Sequence, residues 1–143
     1  MAIEVQNMKT VLAIAPVSLN NATATPVEVD ARGYSNARFV FSVGAAAGNI
    51  SVCKVQSATS AGGSLTDVTG AAIAADVIDS DADATVHAIE VDLTDKSIGE
   101  FLKVVLTEDN TGATLIGCTC ILSRGADCPT SASERGLTNE VFA

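Results

Sequence analysis

Alternation with a period of two runs through almost all of this chain, and it leaves room for little but strands. In Arg38-Phe39-Val40-Phe41-Ser42-Val43, residues Phe39, Phe41 and Val43 share one face. In Ile89-Glu90-Val91-Asp92-Leu93, aliphatic residues alternate with acids, the pattern of an antiparallel strand buried on one side only. Similar runs span Thr10 to Ala15, Thr25 to Asp30, Ile50 to Gln56, Thr85 to Leu93, Phe101 to Thr107 and Ala113 to Ser123. A short edge piece, Leu65 to Val68, is expected to end at Gly70, and Ala72 to Ile78 is expected to follow as another strand. Glycine-, serine- and acid-rich turns punctuate these runs. About eight short strands at this spacing predict an all-β protein, an antiparallel β-sandwich or jelly roll. Helix is confined to single turns that Ala71 to Ala75 or Asp95 to Phe101 could hold.

Phe39, Phe41, Ile89, Val91, Leu93, Val104, Leu106, Ile116 and Leu122 are the expected core. At 143 residues the chain is one domain, large enough to build that core without metal or disulfide staples. Residues 10–123 form the sandwich, and residues 1–9 and 124–143 read as irregular terminal arms. Each arm carries apolar side chains that a dangling segment does not need: Ile3, Val5 and Met8 at one end, Leu137, Val141 and Phe142 at the other. These six are candidate contacts to a subunit or partner.

A formal net charge of −9, from 8 Lys+Arg against 17 Asp+Glu, argues against nucleic acid and against an anionic membrane as partners. No apolar run approaches the ~20 residues of a membrane span. With no Trp and one Tyr, there is no stacking platform for bases or sugars. Glu4 stands where a secretion signal would carry bases, so synthesis in a reducing cytoplasm is expected. Cys53, Cys118, Cys120 and Cys128 accordingly read as free thiols rather than as a disulfide framework or a zinc knuckle. Cys118 and Cys120, two apart in a strand, share one inner face, and Cys128 is the thiol expected to be exposed.

One constellation bears on metal binding. Counting Asp79 as the first position, Asp79, Asp81, Asp83 and Glu90 fall at places 1, 3, 5 and 12 of a calcium loop. Ala84 stands at the sixth place, where the loop needs glycine, and the flanks are strand-like. The preferred reading is a solvated acidic turn, with no metal and no cofactor. The single histidine, His87, has no assignable nucleophile or orienting acid in the sequence, and no enzyme signature is present.

The order of segments is more informative than any one residue. Asn36-Ala37-Arg38-Phe39-Val40-Phe41-Ser42-Val43-Gly44, a glycine turn, the strand from Ile50 and Leu65-Thr66-Asp67-Val68-Thr69-Gly70-Ala71 come in sequence. Ile89-Glu90-Val91-Asp92-Leu93, Phe101-Leu102-Lys103-Val104-Val105-Leu106-Thr107 and a last glycine-containing hairpin strand follow. Over residues 25–123 this resembles the small β-rich decoration (cement) proteins of tailed-phage heads. The resemblance implies a non-enzymatic virion protein, made in the host cytoplasm, that binds the major capsid protein on the outer capsid face as a homotrimer. Phage head fibres and tail subunits use similar sandwiches. A calcium-dependent adhesin or carbohydrate-binding module is the alternative from another class.

Overall fold

The computed structural model describes residues 7–125, 133–134 and 136–138. Among the described residues, nine strands account for the regular structure: β1 (Lys9–Leu19), β2 (Ala22–Thr23), β3 (Val29–Asp30), β4 (Asn36–Ala46), β5 (Ile50–Ala58), β6 (Thr66–Ile73), β7 (Val86–Asp92), β8 (Phe101–Glu108) and β9 (Thr114–Ser123). They form two antiparallel sheets packed face to face. Sheet A has the order β1-β9-β4-β7, and sheet B the order β2-β8-β5-β6, with β3 also pairing to β8. With the two-residue β3 set aside, the eight remaining strands run 1-8-3-6 and 2-7-4-5. That interleaving, in which each sheet draws strands from both halves of the chain, is the double Greek key of a jelly roll.

Strand parity explains the core. On β4, Ala37, Phe39, Phe41 and Val43 point inward, and on β9 Ile116, Cys118, Cys120 and Leu122 do. Leu102, Val104 and Leu106 of β8 meet Cys53, Val55 and Ser57 of β5 on the facing sheet. Eight of the nine residues expected in the core are buried, and Leu93 is the exception, half-buried just beyond the end of β7. Full burial of a side chain such as Phe41 contributes about 1.5–3 kcal/mol.

Several boundaries differ from expectation. β1 does not stop at Ala15 but continues through Pro16 to Leu19, with register shifts on both sides of Ile14. An edge strand tolerates proline because its outward N–H has no ladder to serve. Gly70 does not end a strand. It adopts φ +79° inside β6, where a bulge lets the register jump from Gln56↔Asp67 to Lys54↔Ala72. β6 then stops at Ile73, and Ala74 to Ile78 is loop rather than strand. The run Thr25 to Asp30 is strand only at Val29–Asp30. Neither candidate helical turn forms: residues 71–73 belong to β6, and residues 93–98 are turns in which Ile98 N donates to Asp95 O at 3.2 Å.

One pole of the sandwich is held by a carboxylate. Glu108 is fully buried at the end of β8, and its oxygens accept hydrogen bonds from Asn21 N and, at 2.7 Å, from Asn110 N. Beside it, Thr114 Oγ1 accepts from Gly48 N at 3.2 Å and donates to Gly48 O at 3.0 Å. A Cβ on Gly48 would lie 2.3 Å from Glu108 Oε1, so glycine is required there. The turn between β8 and β9 is thus anchored through a buried acid. The parity of Leu102, Val104 and Leu106 carries Glu108 inward with them.

Candidate functional site

The outer faces of the two sheets differ sharply. On sheet A, outward parity lines up rows across the strands. Leu12, Thr119, Val40 and Ala88 form one row through direct pairing. Ser42 faces Gly117 and Val86 in the next, with Pro16 packed against Gly117. Leu115 follows beside Gly44. Val86 is 69% exposed, Leu12 51% and Leu115 48%. Glycine at 117 and 44 lets Pro16 and Leu115 lie close to the sheet, since a Cβ at either position would approach them to 3.2 Å.

Toward the other end the same face becomes polar. Arg38 pairs with Glu90 across strands, and Asn36 with Asp92. Asn36 Nδ2 donates to Glu90 Oε1 at 2.7 Å, while Asn36 Oδ1 is buried without a donor. Asn36, Arg38 and Glu90 border a groove of about 610 Å³ whose other walls include Met8, Ile121, Ser123 and Arg124. The chain's two terminal segments meet at this end. Gly125 N donates to Asn7 O at 3.5 Å, and Gly136, at φ +77°, lies so close to Thr10 O of β1 that a Cβ would strike it.

Met8 and Leu137 are half-buried. Of the other terminal residues singled out from sequence, Ile3, Val5, Val141 and Phe142 lie outside the described residues, as does Cys128.

The acidic turn does not assemble as a calcium loop. Asp83 Oδ1 accepts from Ala46 N at 2.6 Å, and Asp79 Oδ1 accepts from Asp81 N at 2.9 Å. Ala84 takes a left-handed φ of 55° and sends the chain into β7 as an extended strand. Glu90, opposite Arg38, therefore ends up roughly 25 Å along the sheet from Asp83, whose partner is at Ala46. Among the described residues, no three His, Cys, Asp or Glu side chains come together in a way that could hold a metal ion.

His87 sits on the inner side of β7, half-buried, with Nε2 3.0 Å from Thr85 Oγ1. Cys53, Cys118 and Cys120 are unbridged and buried in the core. Burial pushes the Cys53 and Cys120 thiols up to about 12, and raises Cys118 as well, so all three stay protonated and act as packing groups. No protein-family model, no curated protein and no solved structure matches this chain.

Proposed function

We propose that the protein is a non-enzymatic virion structural protein that decorates and stabilises the outer face of a tailed-phage capsid as a homotrimer, with the major capsid protein as its partner. The observation that carries this reading is the meeting of both terminal segments at one pole of the jelly roll, Asn7 bonded to Gly125. A sandwich whose chain enters and leaves at one pole brings its two terminal attachment points to one surface. A trimer multiplies them threefold, so that modest contacts to several capsid subunits add through avidity. The groove at the root of the arms supplies a desolvated acceptor, Asn36 Oδ1, and two guanidinium-bearing residues, Arg38 and Arg124, for an incoming chain. A jelly roll is also a frequent scaffold of viral shell proteins, although the same fold serves lectins and cupins.

The reading is tested on tailed-phage heads from the source that encodes the protein. The full chain should co-sediment with assembled heads and protect them against heat. A chain lacking residues 126–143 should be retained far more weakly. A full-length protein that stays in the supernatant with intact heads defeats the proposal.

A further inference from the structure

We infer that the groove at the terminal pole of sheet A reads a carboxylate on an extended peptide. One acidic side chain of the partner sits between Arg38 and Arg124, and an apolar side chain two residues along lies on Met8 and Ile121.

Charge selects this occupant. The chain has 8 Lys+Arg against 17 Asp+Glu, so its cations have acids to spare as partners. On and beside sheet B they take them: Lys54 pairs with Asp67, Lys103 with Glu28 and Arg32 with Asp30. Arg38 and Arg124 line one groove, and neither forms an ion pair with any of the described residues. Arg38 even has an acid directly opposite, Glu90. Glu90 Oε1 instead accepts from Asn36 Nδ2 at 2.7 Å. Asp92, close enough to feel the charge of Arg124, gives Oδ1 to Thr94 N at 3.0 Å and to Thr94 Oγ1 at 2.7 Å. The nearby acids are engaged, and both guanidinium groups keep open donors.

Two further observations fall at the same place. Arg124 stands in a left-handed conformation, φ 55°, immediately after β9. Glycine or asparagine would sit there with less strain. Strain held at an exposed arginine marks a side chain kept for what it does rather than for packing. Asn36 Oδ1 is the one buried side-chain oxygen or nitrogen without a partner among the described residues. Its orientation is fixed, because a flipped amide would set Oδ1 against the Glu90 carboxylate. Unused donors and an unused acceptor thus share one groove wall.

The wall also sets the class of anion. Two guanidinium groups face Glu90, with Asp92 beyond it, so the groove favours one negative charge and resists a second. That selects a carboxylate over a phosphate dianion or a nucleic-acid backbone. A carboxylate also matches the planar guanidinium fork, which holds it through two parallel bonds. Met8 and Ile121, both half-buried, add an apolar floor that a bare anion would not use. From Met8 on the β1 side, past Ile121 and Arg38 to Glu90 on β7, the groove crosses three strand spacings, about 14 Å, the length of four extended residues. In such a segment every second side chain faces the same way, which sets the acid and the apolar group on one side.

The inference deepens the proposed function by stating what the partner must offer, and it rests on that reading only for where the segment comes from. Its assay needs no capsid. Heads that fail to retain the protein would remove the capsid reading and leave the groove's chemistry to its own test.

The probe is a synthetic capped peptide, Gly-Ser-Asp-Ser-Leu-Ser-Gly, with its counterpart carrying Asn for Asp, titrated into the full chain and followed by amide NMR. The acid form should saturate and move the signals of Arg38, Ile121 and Arg124 but not those of Lys54 or Lys103 on sheet B. The Asn form should bind at least about tenfold more weakly, and Arg38→Gln should cost the acid form as much. Lys103→Gln should change nothing. Arg124→Gly should lose affinity while holding or raising the melting temperature, because glycine relaxes the backbone at φ 55°. Absence of binding at millimolar peptide, equal binding of both peptides, or full displacement by an equal concentration of acetate overturns the inference. So does a melting temperature that falls by several degrees in Arg124→Gly. An affinity that rises in Glu140→Gln overturns it as well, by making the chain's own C-terminal segment the occupant.

Discussion

The two outer faces cover one core and differ in how much apolar surface they show. Sheet B is laced with charge: Lys54 Nζ lies 2.7 Å from Asp67, Gln56 Nε2 donates to the same carboxylate at 2.7 Å, and Lys103 reaches Glu28 at 3.8 Å. At its β3 margin Arg32 bonds Asp30 at 2.6 Å and lies over the Phe101 ring, 5.1 Å from its centre. Sheet A shows Leu12, Val40, Val86 and Leu115 in the corresponding place. Solvated ion pairs contribute little to folding, so the difference is not one of stability. It is a difference in what each side presents to its surroundings, ion pairs on sheet B and aliphatic side chains on part of sheet A.

The comparison breaks most completely through what the faces share. Phe41 is fully buried between the sheets, and Phe41→Ala should cost about 3–5 kcal/mol in urea titration, loosening both faces together. Next comes the pole that holds the sheets in register. Glu108→Ala strands the N–H groups of Asn21 and Asn110 and should cost about 2–4 kcal/mol by the same measurement. A loss under 1 kcal/mol would mean that water replaces the carboxylate there.

Smaller effects sharpen the contrast. Val86→Glu on sheet A should leave stability within about 0.5 kcal/mol in urea titration, because an exposed side chain contributes little to folding. On sheet B the signature is acid sensitivity. The Lys54 hydrogen bond holds the Asp67 carboxyl below its ordinary 3.8, and the Arg32 hydrogen bond does the same for Asp30. A lowered carboxyl pKa gives stability that is present above the unfolded value and lost as pH falls below it, so this contribution should fade below about 3.8. NMR titration should show the Asp67 midpoint rising in Lys54→Met. An unmoved midpoint would remove the pairing. Least in energy, Cys53, Cys118 and Cys120 should resist a thiol reagent until the protein is unfolded, whichever face is altered.

Parity made much of this legible from sequence. The alternation of Ile89 and Val91 with Glu90 and Asp92 assigned a buried and an exposed side to β7, and Phe39 and Phe41 did so for β4. What escaped was whatever depends on long-range pairing. Gly70 looks like a terminator in one dimension, and only the partner strand β5 shows that the ladder resumes beyond it. Pro16 looks like a stop unless β1 is known to lie on an edge. Glu108 is charged and opens a turn, yet it continues the inward series of Leu102, Val104 and Leu106, and that parity is the signal of its burial. The outer face of sheet A was invisible because Leu12, Val40, Val86 and Leu115 are far apart in the chain and meet only through the strand order.

That strand order also sets a schedule for synthesis. Every strand of sheet B lies before residue 109, so this half can pair as soon as β8 emerges from the ribosome. Sheet A cannot. β1, the first strand made, finds its in-sheet neighbour only in β9, the last, and β4 waits for the same strand on one side. A nascent chain halted after Glu108 would hold every strand of sheet B beside a disconnected β1 and a β4–β7 pair, with Phe39 and Phe41 incompletely covered. Release of the final ten-residue strand is then the event that converts it into a closed sandwich, late and all at once.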